Sequence, residues 1–237
     1  MQNINFGKLK KLDYFSEEAY KTLRTNLLFC GTAIKVIALT SCIPNEGKSS
    51  ICMNLARQFA EQGKKVLLID ADMRKSVLAG RYRMSGANLG LSNLLAGTNA
   101  KEDVLSTTSI ENLYMIIAGQ VPPNPSELLG SEVFKEFVKT ARDDFDLILI
   151  DTPPLGSVTD AAVVSDVCDG MVLVMMANQI SYRFAQHVKE QLDKTNCKVL
   201  GCILNKVQLK KNGAYGKYYG KYYGKYYGRY GEDDEKE

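Results

Sequence analysis

Six short stretches of this chain are apolar at nearly every position, and they constrain the fold more than any other feature. KVIALTS (35–41), KVLLI (65–69), LYMII (113–117), DLILI (146–150), MVLVMM (171–176) and KVLGCIL (198–204) lack the polar alternation of a strand with one wet face. Strands of this kind need cover on both sides, which a parallel sheet between two helical layers supplies. Amphipathic stretches predict those helices over residues 17–29, 48–62, 131–142, 159–168 and 181–196. Ser16 is expected to cap the first of them and Gly63 to close the second. PPNP (122–125) before SELL (126–129) reads as a rigid turn that starts a helix.

At 237 residues and 45% hydrophobic content the chain can bury one sizeable core. A net charge of +3 is too balanced for a dedicated polyanion binder. The six cysteines show neither a Cys-x-x-Cys pair nor metal-ligand spacing, which reads as reduced thiols in a cytosolic protein. His187, the single histidine, is expected on a solvated helix face. No run approaches the roughly 20 apolar residues of a membrane span, and the polar N-terminus carries no signal-like apolar segment. Membrane association is therefore expected to come through a partner.

SCIPNEGKSS (41–50) joins the first strong strand to the second helix. Gly-Lys-Ser in that setting is the core of a phosphate-binding P-loop, although Cys42 stands where the pattern has its first glycine. Loop residues Pro44, Asn45, Glu46 and Gly47, with Ser50 after them, would surround phosphate oxygens. Lys48 would reach the β/γ-phosphates, and the Ser49 hydroxyl would ligate Mg²⁺. LLIDAD (67–72) and LILIDTPP (147–154) each end a buried strand in aspartate, and ligands of open parallel sheets sit at those strand ends. Carboxylates around a triphosphate require an intervening cation, so ATP with Mg²⁺ is the expected pair. The fold class is therefore an α/β P-loop NTPase with a mainly parallel central sheet flanked by helices.

GAYGKYYGKYYGKYYGRYG (213–231) holds eight of the thirteen tyrosines: Tyr215, Tyr218, Tyr219, Tyr222, Tyr223, Tyr226, Tyr227 and Tyr230. Six cations and no acid lie between residues 208 and 231, and an acidic terminus follows. With glycine at every fourth position and no aliphatic residue after Ala214, the segment is expected to be disordered. The expected organisation is an N-terminal oligomerisation segment (1–30), a P-loop domain (31–207) and a disordered tail (208–237).

Together these motifs resemble those of the bacterial tyrosine kinases, of the type that pairs a cytoplasmic kinase with a separate membrane adaptor in Gram-positive capsule and exopolysaccharide systems. PNEGKS (44–49) resembles the family's Walker A, VLLIDADMR (66–74) its Walker A′, and 146–154 its Walker B. The resemblance implies ATP-dependent tyrosine phosphorylation with Lys48, Asp70, Asp72 and Asp151 as catalytic residues. Asp70 would be the base toward the phenol, and Ser49, Asp72 and Asp151 would hold Mg²⁺. It makes the tail tyrosines autophosphorylation sites. Asn205, after the last strand, is expected either to touch the adenine or to close a strand-end turn. EAYKTLR (18–24) is similar to the family's oligomerisation motif through Glu18, Lys21 and Arg24, with Lys21 in place of an arginine. The partners so implied are a membrane adaptor whose cytoplasmic tail activates the kinase, a cognate tyrosine phosphatase, and further copies of this chain in a ring. The kinase would be cytoplasmic and recruited to the inner membrane face.

Two other readings compete. A partition or division-site ATPase switch shares the P-loop class, but it carries a signature lysine at the position of Ile43 and has no tyrosine array. Lysine interleaved with tyrosine also suits single-stranded nucleic acid. That reading leaves the carboxylate cluster without a use, and no nucleic-acid partner is expected.

Overall fold

The computed structural model describes residues 1–207; the tail tyrosines Tyr215–Tyr230 lie outside the described residues. In chain order the elements are β1 (Gln2–Phe6), α1 (Tyr14–Phe29), β2 (Val36–Ser41), α2 (Lys48–Ala60), β3 (Val66–Asp70), α3 (Leu78–Tyr82), β4 (Met84–Ser85), α4 (Leu91–Leu95) and α5 (Lys101–Val104). There follow β5 (Ser106–Thr108), β6 (Leu113–Ile116), α6 (Pro125–Leu129), α7 (Glu132–Asp144), β7 (Leu147–Asp151), α8 (Asp160–Val164), β8 (Gly170–Met176), α9 (Tyr182–Asp193) and β9 (Val199–Asn205). One sheet contains the nine strands in the order β4-β1-β5-β6-β3-β7-β2-β8-β9. From β6 to β9 every pairing is parallel; β5 against β6 and β4 against β1 are antiparallel.

Apolar residues at adjacent strand positions face opposite cores, as strand geometry requires. Val36, Ala38, Leu67, Ile69, Ile148 and Ile150 enter one core, with Phe134 of α7 and Leu192 of α9. Ile37, Leu39, Val66, Leu68, Leu147 and Leu149 enter the other, with Leu27 of α1 and Leu55 of α2. All six predicted strands form, but β9 is less covered than its apolar sequence suggested. It forms one end of the sheet, with Cys202 and Leu204 exposed.

The short outer strands were not predicted. In β1 only Ile4 is buried, so Gln2–Phe6 lacks an apolar run. The first helix begins three residues earlier than the Ser16 cap allowed. Asp13 caps it, its Oδ1 accepting from the Ser16 amide and its Oδ2 from the Ser16 hydroxyl, each at 2.9 Å. Gly63 adopts the left-handed φ of 79° just beyond α2, as a closing glycine does. His187 is exposed.

Asp13→Ala should lower stability by about 1 kcal/mol, as loss of a helix cap does, whereas Asp13→Ser should retain most of it. Urea unfolding of the two variants beside the parent checks the assignment.

Candidate active site

Three neighbouring strands end at one place. Asp151 of β7 is in register with Asp70 of β3 on one side and with Leu39 of β2 on the other. The loop after β2 turns into α2 at Gly47, whose φ of 94° favours glycine. A side chain there would also collide with the Asn205 amide nitrogen. Asn45 is left-handed too, at 67°. Cys42, by contrast, is not among the positive-φ residues, so this loop does not need the pattern's first glycine.

Glu46 holds the loop in shape. Its Oε2 accepts from the amides of Cys42 (2.7 Å) and Ile43 (2.9 Å), and its Oε1 from the Met176 amide at the end of β8 (2.9 Å). The Glu46 carbonyl accepts from the Asn205 side-chain amide at 2.8 Å, so Asn205 braces the loop. Burial, with the Glu46 charge second, pushes the Cys42 thiol up to about 12 and leaves it without thiolate reactivity.

Lys48 Nζ lies 2.6 Å from Asp151 Oδ1, both side chains being almost wholly buried, and it also donates to Ser49 Oγ at 3.3 Å. Burial pulls the ammonium pKa down, but the charges of Asp151, Asp72 and Asp70 outweigh it and the net shift is upward. Asp72 accepts from the Lys75 amide (3.0 Å), and burial raises its carboxyl. Asp70 is fully buried. Its Oδ1 accepts from the Asp72 amide (3.2 Å) and its Oδ2 from the Ser76 hydroxyl (2.5 Å). Burial first, and the Asp151 charge second, push its carboxyl up to about 7.

Beside this cluster is a cavity of about 210 Å³. Pro44, Asn45, Glu46, Gly47, Lys48, Ser49 and Asp72 all line it, whereas Asp70, Asp151, Ser50 and Asn205 do not. Ser50 Oγ instead accepts from Arg81 Nη1. Asp72, Asp151 and Ser49 are hard oxygen donors of the type that Mg²⁺ prefers, so in donor chemistry they suit that ion. Glu18, Lys21 and Arg24 lie elsewhere, on α1. Lys21 pairs with Glu18 (2.8 Å) and Glu17 (3.4 Å) on its own helix, and Arg24 donates to the Gln58 carbonyl of α2 (3.4 Å).

Sequence reasoning missed a second polar group on the same wall. Arg74 Nε and Nη2 grip Asp160 Oδ2 and Oδ1 at 2.7 and 2.9 Å, and the Ser126 hydroxyl contacts both partners. Burial would raise the Asp160 carboxyl, but hydrogen bonds from Arg74 and Ser126 hold it below its usual range. A position two residues after the Asp-x-Asp strand end was the available signal for Arg74; Asp160 gave none.

The sequence profile of an AAA domain family matches residues 34–200. The tyrosine-protein kinase CpsD of Streptococcus agalactiae is 41% identical over 205 residues, which cover 86% of this chain and 90% of CpsD. The chain belongs to the bacterial tyrosine kinase family. The kinase domain of the Escherichia coli tyrosine kinase ETK superposes with a TM-score of 0.76 at 34% identity, covering 80% of this chain and 75% of that one. The septum site-determining protein MinD of Pyrococcus horikoshii, complexed with Mg-ADP, is a more distant structural relative. Its TM-score is 0.64 at 26% identity, covering 75% of this chain and 72% of that one. This kinase-family chain thus has a P-loop NTPase fold, which implies nucleotide binding. No helix among the described residues is long and apolar enough to cross a membrane.

The raised Asp70 carboxyl has a measurable consequence. It binds its proton more tightly in the folded protein than in the unfolded chain, where the ordinary value is 3.8. The stability this lends is complete below pH 4 and is lost as pH rises toward 7. Asp70→Asn should therefore stabilise the nucleotide-free, chelator-treated protein by roughly 2–4 kcal/mol at pH 8 and scarcely at pH 4. Thermal melts across that range test it.

Proposed function

We propose that this chain transfers the γ-phosphoryl group of ATP to tyrosine hydroxyls, those of its own tail included. The observation that carries this reading is the buried Lys48–Asp151 pair at 2.6 Å, flanked by Asp70 and Asp72 where three adjacent strands end. Phosphoryl transfer passes through a loose transition state and needs positioning and charge neutralisation more than covalent help. Lys48 contributes the cation that tracks the β/γ-phosphates. Mg²⁺, held by Asp72, Asp151 and Ser49, would supply further neutralisation of the phosphate oxygens. Asp70, with a carboxyl near 7, is matched to accept the proton of a phenol that is otherwise largely protonated at neutral pH.

Lys48→Met should abolish tail tyrosine phosphorylation. Asp70→Asn should do the same with nucleotide affinity largely kept, since it removes a carboxylate and preserves shape. Mass analysis after incubation with Mg-ATP reads both variants, and undiminished phosphorylation in either overturns that residue's role.

The proposal extends to the assembly that regulates capsular or exopolysaccharide synthesis. A membrane adaptor's cytoplasmic tail recruits and activates the kinase at the inner membrane face, and a cognate tyrosine phosphatase resets the tail. The Glu18/Lys21/Arg24 face of α1 joins copies in a ring, so that one subunit's tail enters its neighbour's site. A coil of about 20 residues spans roughly 25 Å on average, enough for such a reach. Each phosphate adds about −1.5 to −2 charges, so four would match or outweigh the six tail cations. Light scattering at low salt should show the assembly mass fall after ATP and recover after phosphatase. An unchanged mass with a fully phosphorylated tail removes the tail as the switch.

A further inference from the structure

Two cations on the cavity wall are aimed by buried carboxylates. Asp151 aims Lys48, which the mechanism above already employs. The other is Arg74, whose side chain is 40% exposed while Asp160 beneath it is 0% exposed. Asp160 engages only the Nε–Nη2 edge of the guanidinium, and Ser126 Oγ accepts from the same Nη2 at 2.9 Å. Nη1 has no hydrogen-bond partner among the described residues. The chain contains its own control. Arg142 also grips an aspartate with two nitrogens, but there Nη1 and Nη2 both bond Asp169, and Nη2 bonds the Val167 carbonyl as well. Asp169 in turn accepts from the Lys35 and Val36 amides at the start of β2. That pair is a staple with both terminal nitrogens turned into protein. Arg74 is held from the side, with one terminal nitrogen uncommitted, on the wall that Lys48 and Ser49 share.

We propose that Arg74 contacts the non-bridging oxygens of the phosphoryl group in transfer, and that Asp160 and Ser126 are the positioning residues that hold it there. This rests on the phosphoryl-transfer reading given above. In that step the bond from the γ-phosphorus to the β–γ bridging oxygen breaks and its electron pair leaves with ADP. A bond forms from the same phosphorus to the phenol oxygen, and the phenol proton passes to Asp70. Arg74 gains and loses no proton. A planar guanidinium fixed before the reaction stabilises charge spread over the phosphoryl oxygens without reorganising at that moment. The arrangement also gives the turn at residues 122–125 a task. Ser126 directly follows it and donates to Asp160 Oδ1 at 2.5 Å, which ties the start of α6 to the guanidinium.

The test compares binding of ADP alone with capture of Mg-ADP-fluoroaluminate, a planar mimic of the group in flight, by the full-length chain. Arg74→Ala should leave ADP affinity within about 3-fold and weaken fluoroaluminate capture about 100-fold, the scale of losing one aimed donor. Arg74→Lys keeps the charge and the stem but not the planar fork, so it should lose most of the same capture. It also serves as the readout if the alanine variant fails to fold. Asp160→Asn should fall about 10-fold in capture, with ADP binding retained, although Asp160 does not reach the cavity. Equal weakening toward both ligands, or no change in the Arg74 variants, overturns the contact and leaves a structural staple. Unchanged capture by Asp160→Asn overturns its positioning role. Failure of the unaltered protein both to capture the complex and to phosphorylate tyrosine with Mg-ATP defeats the phosphoryl-transfer reading itself, and with it this one, whereas failed capture by a chain that does phosphorylate overturns only the Arg74 contact.

Discussion

The structure depends on a lysine and an aspartate buried together at 2.6 Å. Either charge alone in that interior would cost several kcal/mol, so each makes the other tenable. Their meeting requires Asp151 to stand between the ends of β2 and β3, and that in turn requires the strand order β3-β7-β2. Chemistry and topology are thus one constraint. The charges nevertheless do not balance, because Asp70 and Asp72 share the neighbourhood and one ammonium cannot neutralise three carboxylates. Burial first, and the neighbouring carboxylates after it, raise the carboxyls of Asp70 and Asp72. A site built this way carries more negative than positive charge in its interior.

The two ends of the parallel strands do different work. At the carboxyl ends are the phosphate loop, the aspartates and the Arg74 group. At the amino ends the polar contacts join protein groups to one another. Arg142 and Asp169 bond each other and the start of β2, and Lys65 lies over the rings of Tyr114 and Phe145 at 5.5 and 5.1 Å. Those contacts tie strands and helices together, and Lys65, Tyr114 and Phe145 also line a second cavity of about 360 Å³. Variation at one end can therefore alter reaction while the other keeps the sheet in register.

Most of the fold was legible because double burial leaves a plain mark in sequence. The strands at 36–41, 66–70 and 147–151 are buried at every position, and a run of aliphatic residues states that directly. Gln2–Phe6 and Ser106–Thr108 join the same sheet near its margin, where few positions need be apolar, so they left no run to read. The strand-end aspartates were legible for a related reason, since a charge closing an apolar run has few structural uses. What escaped was long-range pairing. Arg74 and Asp160 are separated by 86 residues, and a buried aspartate opening a short helix looks no different from an ordinary first-turn acid. Glu46 gave no sign that its carboxylate turns back into its own loop, because that depends on where the β8 end lies.

That inward turn of Glu46 bears on the thermodynamics of ligand capture. Glycine-rich phosphate loops are mobile by composition, and ordering such a loop subtracts from the affinity of whatever orders it. Here one carboxylate accepts three amides, from Cys42, Ile43 and Met176, and the loop is moored to β8, the strand beside β2. Little conformational entropy remains to be lost when an anion arrives. The loop behaves as a rigid receptor, and its shape is inherited from the sheet rather than induced by the guest.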